Sequence, residues 1–165
     1  MIKKLKKDLD PSDFRIWYNN WVKQNAKGKV LDVGKSTFWD YKFQTIDINP
    51  ILKPTFVGNI EKTAFPDNMF DVVLCNGMYE FVNNPQAMID EVLRITHDIA
   101  IFGFVGKDYK PYREHWKFYE GKEIFYPNIK IVYRKDFNKK YHFIVCKKLI
   151  SIPLSQMKKI GYGMI

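Results

Sequence analysis

Lys29-Val30-Leu31-Asp32-Val33-Gly34 is the stretch on which the fold turns. Apolar residues on both sides of its alternation leave no wet face, so it reads as a short strand buried above and below. Runs of the same kind recur downstream. Phe43 to Ile48 is stopped by Asn49-Pro50, Thr55 to Gly58 follows, Asp71 to Cys75 closes on Asn76-Gly77, and Ile99 to Val105 is the fifth. Pro85 opens a helix with Ala87, Met88, Val92 and Ile95 along one side. Continuous apolar strands separated by helical or loop segments predict an α/β fold, a mostly parallel sheet with helices on both faces. Lys130 to Phe137 and Tyr141 to Lys147, joined by Asn138-Lys139-Lys140, predict a C-terminal antiparallel hairpin at the sheet edge. Upstream, Asp10-Pro11 is a helix start. Phe14, Trp17, Tyr18, Trp21 and Val22 then form one apolar stripe, and Gly28 is its expected end.

The 165 residues suit a single domain over 1–165. Its parts are a helix over about 11–27, a core over about 28–105, a segment and edge hairpin over about 106–148, and a basic tail over 149–165. A hydrophobic share of 46% excludes a disordered chain, and no apolar run reaches the length of a membrane span. Met1-Ile2-Lys3-Lys4-Leu5-Lys6-Lys7 is basic but has no apolar region after it, so it is not read as a signal peptide. Cys75 and Cys146 lie inside apolar runs and are expected as buried free thiols in a reducing, cytoplasmic setting, not as a disulfide or metal site. The net charge of +9 (27 Lys and Arg against 18 acids) would draw nucleic acid or an anionic small substrate. The lysines are nevertheless spread along the chain, except at Lys3 to Lys7 and Lys147 to Lys159.

Ligands of open α/β sheets bind beyond the carboxyl ends of the strands. There the sequence places Gly34, whose missing Cβ allows a tight turn and close approach, and Asp47, suited to accept two ribose hydroxyls. The third strand ends in Gly58-Asn59-Ile60, an amide able to pair with an adenine edge. The fourth ends in Asn76-Gly77, where backbone carbonyls can meet an ammonium group.

The segments Val30 to Gly34, Ile46-Asp47-Ile48-Asn49-Pro50, Gly58-Asn59-Ile60-Glu61, Phe65 to Val82 and Asn84-Pro85-Gln86-Ala87 together resemble the Rossmann-like class I S-adenosylmethionine-dependent methyltransferases, and among these the type 11 domain. The resemblance spans about residues 28–105, and Phe65 to Val82 is its most specific piece. It implies S-adenosyl-L-methionine as cofactor. Asp32, Gly34, Lys35 and Ser36 would lie beneath the methionine part, with Lys35 free to pair with the carboxylate. Asp47 would hold the ribose, Ile48 would lie along the adenine, and Asn59 with the Ile60 N–H would read the adenine edge. The Asn76 carbonyl would face the amino group. The chain departs from the family at Ser36 and Phe38, where glycines are usual, at Asn59, where aspartate is common, and at Glu80-Phe81, where the family has Glu-His. The stretch Lys35 to Lys42 is also short for a parallel crossover, leaving room for one or two helical turns over Ser36 to Tyr41.

Methyl transfer is an in-line displacement that the protein assists mainly by positioning. The region Gly106 to Asn128 would overhang the cofactor, with His115 as candidate base, Arg113 to grip an anionic acceptor, and Tyr112 and Trp116 lining the pocket. Glu80 either faces the cleft or is a helix-start acid; His97 and His142 are given no role. The expected substrate is a small acceptor, sugar-derived or anionic. Nucleic acid is the less favoured partner, since no Asn-Pro-Pro-Tyr or Asp-Pro-Pro-Tyr motif accompanies the charge and aromatics. A non-catalytic relative acting through a partner is the remaining alternative. A nicotinamide dehydrogenase would need G-x-G-x-x-G and an acid about 20 residues on, whereas Asp47 follows Gly34 much sooner.

Overall fold

The computed structural model describes residues 12–35, 40–108, 114–119, 126–137 and 140–149. The elements are α1 (Ser12–Asn25), β1 (Val30–Val33), β2 (Gln44–Asp47), β3 (Phe56–Val57), β4 (Phe70–Asn76), α2 (Pro85–Ile95), β5 (Thr96–Val105), β6 (Ile129–Phe137) and β7 (Tyr141–Lys148), with a 3-10 turn over Pro50–Leu52. The strands form one seven-stranded sheet in the order β3-β2-β1-β4-β5-β7-β6. Strands β1 to β5 run parallel, and β7 lies antiparallel between β5 and β6. This is the mostly parallel, Rossmann-like sheet with a C-terminal antiparallel pair that the runs of apolar residues predict.

The period-2 alternation of the central strands divides their side chains between two cores. Leu31, Val33, Val73, Cys75, Ala100 and Phe102 pack with Met88, Ile89, Val92 and Ile95 of α2 on one face. Val30, Val72, Leu74, Ile101 and Phe143 pack with Phe14, Tyr18 and Val22 of α1 on the other. Phe14 stacks on Tyr141 and Phe143, with ring centroids 4.0 and 4.7 Å away, so the aromatic stripe of α1 is core. Cys75 and Cys146 are buried free thiols. Among the described residues no helix is long and apolar enough to cross a membrane.

Local chemistry sets the boundaries. The Asn84 side chain accepts from the Ala87 N–H and Pro85 follows it, which starts α2. That helix passes into β5 without a loop, the Thr96 hydroxyl bonding back to Val92 O at 2.6 Å. Gly28 is not the residue that ends α1: the helix stops at Asn25, and Gly28 (φ +79°) instead makes the turn into β1. A Cβ there would sit 2.4 Å from Asp71 Oδ2, which accepts from the Lys29 N–H. Glu80 is not a helix-start acid either, since it precedes the cap of α2 by four residues and sits in a turn. The helical turn expected over 36–41 falls mostly outside the described residues, as do Asp10-Pro11, Asn138, Lys139 and the tail beyond 149; Asp40 and Tyr41 are described and are not helical.

Candidate functional site

The sheet order reverses between β1 and β4, so the strands on either side of that junction diverge in the direction of their connections and leave a crevice at their carboxyl ends. Gly34 makes the corner at the end of β1. Its φ is +78°, its N–H continues the ladder to Ile46 O at 2.8 Å, and a Cβ there would fall 2.5 Å from Met78 Sδ. Only glycine accepts both the left-handed backbone and the methionine packed on it. Asp47, at the end of β2, accepts from the Lys35 N–H through Oδ2 at 2.9 Å and from the Asn49 N–H through Oδ1 at 2.7 Å. The carboxylate thus ties the corner after β1 to the turn after β2 and fixes both across the short crossover. Each of its oxygens retains a second acceptor site.

Beside this corner lies a cleft of about 130 Å³. Four of the residues singled out from the sequence line it together: Asp47, Ile48, Asn59 and Ile60. Its other walls are mainly apolar, from Val33, Ile46, Met78, Phe81 and Val82. Ile48 and Phe81 are 71% and 59% exposed, two large apolar groups held open to water on the cleft wall. A largely apolar slot with a few polar edges is what a flat heterocycle requires. Asn59 Oδ1 accepts from the Glu61 N–H at 2.9 Å, and its amide donates to Glu61 Oε2 at 2.9 Å. Glu61 also accepts from the Asn84 N–H, which links the loop after β3 to the start of α2.

Of the remaining sequence-predicted residues, those that are described do not line the cleft. Asp32, on β1, is pushed up to about 7 by burial. Asn76 ends β4 opposite Gly103, and its Oδ1 fills the space of the absent side chain, 2.0 Å from where a Cβ at Gly103 would stand. The Lys35 ammonium donates to Lys53 O at 2.8 Å. His115 is exposed and does not line the cleft. Trp116 meets the cleft wall edge-to-face through Phe81, with centroids 5.6 Å apart. Ser36, Tyr112 and Arg113 lie outside the described residues.

Sequence reasoning missed the turn 77–82 as the fourth wall. Met78, Phe81 and Val82 line the cleft, and the segment 114–119 is fastened to the same turn. Lys117 Nζ donates to Val82 O at 2.6 Å, and Tyr119 meets Tyr79 edge-to-face at 6.1 Å. The signal available was the apolar Met78-Tyr79 and Phe81-Val82 in a loop expected to be polar. Between them is Glu80, 4% exposed and pushed up to about 7 by burial, with Oε2 making no hydrogen bond.

Residues 28–102 match a family described as the methyltransferase domain. No curated protein matches the chain in sequence. Among solved structures, a SAM-dependent methyltransferase from Thermotoga maritima, described as a possible histamine N-methyltransferase, superposes with a TM-score of 0.57 at 16% identity, over 82% of this chain and 97% of that one. A SAM-dependent methyltransferase from Aquifex aeolicus gives 0.56 at 16% identity, over 89% and 98%. Magnesium protoporphyrin IX methyltransferase from Synechocystis PCC 6803 with bound SAM gives 0.59 at 12% identity, over 88% and 82%. At such identities the structural likeness is one of fold. Sheet order and family match agree on a methyltransferase-like fold over residues 28–102.

Proposed function

We propose that the protein binds S-adenosyl-L-methionine in the cleft at the ends of β1, β2 and β3 and transfers its methyl group to a small acceptor. One observation carries the reading: Asp47 is fixed by two backbone N–H groups beside the Gly34 corner and shares an apolar slot with Asn59 and Ile60. The residues fit the cofactor on the structure's own terms. The slot is apolar with a carboxylate at one edge, and the turn that forms its Met78–Phe81–Val82 wall also carries Glu80, whose Oε2 has no hydrogen-bond partner and which has no cation paired to it among the described residues. When bound, the cofactor supplies an electrophilic methyl on a sulfonium.

The chain's part is to hold and to exclude. Asp47 would take the ribose hydroxyls on its free acceptor sites, Ile48 and Phe81 would close on the two faces of the adenine, and Asn59 with Ile60 would meet its edge. Asp32, Gly34, Lys35, Ser36 and Asn76 would surround the methionine part. Trp116, fastened to Phe81, with Tyr112 and Arg113 of the same segment, would form the acceptor side, and His115 is the candidate base. The acceptor is read as small and sugar-derived or anionic, and the protein as cytoplasmic.

Calorimetry with S-adenosylmethionine and S-adenosylhomocysteine tests the reading. Micromolar binding, about −8 kcal/mol, is expected. Asp47→Ala, whose melting curve checks that it folds, should weaken both ligands by about 10²-fold, since each hydrogen bond to a charged group contributes about 1.5–3 kcal/mol. Heat from neither ligand with the wild-type protein overturns the assignment.

A further inference from the structure

Glu80 is out of keeping with its surroundings. It is 4% exposed, it stands in the turn whose Met78, Phe81 and Val82 form a cleft wall, and its Oε2 finds no donor. The carboxyl's polar contact is the backbone N–H of Glu80 itself. Its Oε1 lies over Gly77, 3.7 Å from where a Cβ would stand, which puts the carboxyl at the end of β4. The titratable groups that bear on the same strand end are Asp32 from β1, the Cys75 thiol of β4, which is pushed up by burial and by both acids, and the Tyr18 hydroxyl of α1, which is pushed up by burial and by Asp32. All are neutral or negative. Among the described residues neither Glu80 nor Asp32 has a lysine, arginine or histidine partner.

A buried carboxyl with an empty acceptor oxygen and no cation is costly to keep. Such a group is explained if its partner arrives from outside. We infer that Glu80 is a binding residue for a cationic ligand, its carboxylate pairing with the positive charge on the methionyl half of the nucleoside cofactor at the end of β4. This rests on the cleft being the S-adenosylmethionine site proposed above and adds a residue that neither the strand-end pattern nor the family resemblance assigned. It also divides the ligand in two. The cleft lined by Asp47, Ile48, Asn59 and Ile60 recognises the uncharged nucleoside, and Glu80 recognises the charge.

Calorimetry with adenosine and with S-adenosylmethionine, on wild type and on Glu80→Gln, tests the assignment. Glutamine keeps the shape and removes the charge. S-adenosylmethionine should bind Glu80→Gln about 10- to 100-fold more weakly, the range of a lost hydrogen bond to a charged group, while adenosine binds both proteins equally. Unchanged S-adenosylmethionine affinity, or an equal loss for adenosine, overturns the role of Glu80 and leaves the cleft assignment standing. Wild-type protein that binds neither ligand overturns both. Glu80→Asp, which restores the charge on a shorter arm, should recover part of the lost affinity; no recovery counts against charge pairing.

Discussion

Replacing Glu80 by glutamine should stabilise the ligand-free protein, and the gain should grow with pH. Burial raises the folded-state value of this carboxyl from 4.5 to about 7. The folded protein therefore keeps a proton that the unfolded chain has released, and stability falls as pH rises between those two values. The full loss is about 3 kcal/mol, at 1.36 kcal/mol per unit. Part of it is already incurred at pH 5, so between pH 5 and pH 8.5 the wild type loses about 2.5 kcal/mol that Glu80→Gln does not. Any change in packing or hydrogen bonding brought by the amide is the same at both pH values and cancels in the comparison. Thermal melts of both proteins at pH 5 and 8.5 should show the gap widening by roughly 5–10 °C in favour of the variant. A gap that stays constant would show that the carboxyl is solvated or paired in solution, and the argument from its burial would fail.

Glu91 titrates with the opposite sign. Arg94 and the Thr63 hydroxyl and N–H hold its carboxyl down at about 2, so Glu91→Gln should cost about 2–3 kcal/mol at pH 7 in urea unfolding, the deficit closing as pH falls below 4. Gly103→Ala would bring a Cβ to 2.0 Å from Asn76 Oδ1 and 2.8 Å from Phe143 Cε1, and should lower stability by about 1–3 kcal/mol in the same assay. Pairing it with Asn76→Ala removes the nearer clash and leaves the one with the buried Phe143 ring, so it should recover only part of that loss.

The sheet was legible because its central strands bury both faces. Val30, Leu31 and Val33, and Val72 to Cys75, could not be mistaken for amphipathic elements, and asparagine, proline and glycine mark their ends. Asp47, Ile48, Asn59 and Ile60 were legible for a related reason, since parallel topology puts every strand end on one edge. What escaped is what sequence spacing does not encode. Phe81 and Val82 reach the cleft because the turn after β4 folds back across Gly34, a contact made through Met78 and decided by packing. The binding of the 114–119 segment to that turn rests on a lysine reaching a backbone carbonyl, and nothing in Lys117 distinguishes it from the chain's other lysines. Gly28 was misassigned because a left-handed glycine serves a helix end and a loop-to-strand turn equally well.

The two edges of the sheet differ in how well their charges are satisfied, and that difference supports the proposed site independently of any motif. At the amino edge a larger surface cavity of about 810 Å³ is lined by His97, Asp71, Asp98, Lys147 and Lys148 among others. There His97 meets Asp71 at 3.7 Å and Lys147 meets Asp98 at 3.8 Å, while Lys148 donates to Asn68 Oδ1 and to the carbonyls of Leu93, Arg94 and Thr96. Every one of those charges serves to close the end of α2 or the start of a strand. At the carboxyl edge the reverse holds. Asp32 and Glu80 are buried acids without cations among the described residues, Ile48 and Phe81 are apolar and exposed, and Gly34 is held left-handed against Met78. Each of these breaks a local rule of stability, and together they occupy one end of β1, β2 and β4. Departures from local consistency that cluster in space mark the place where a fold gives up stability to bind something. By that measure the smaller cleft, and not the larger cavity, is the one that suits the proposed function.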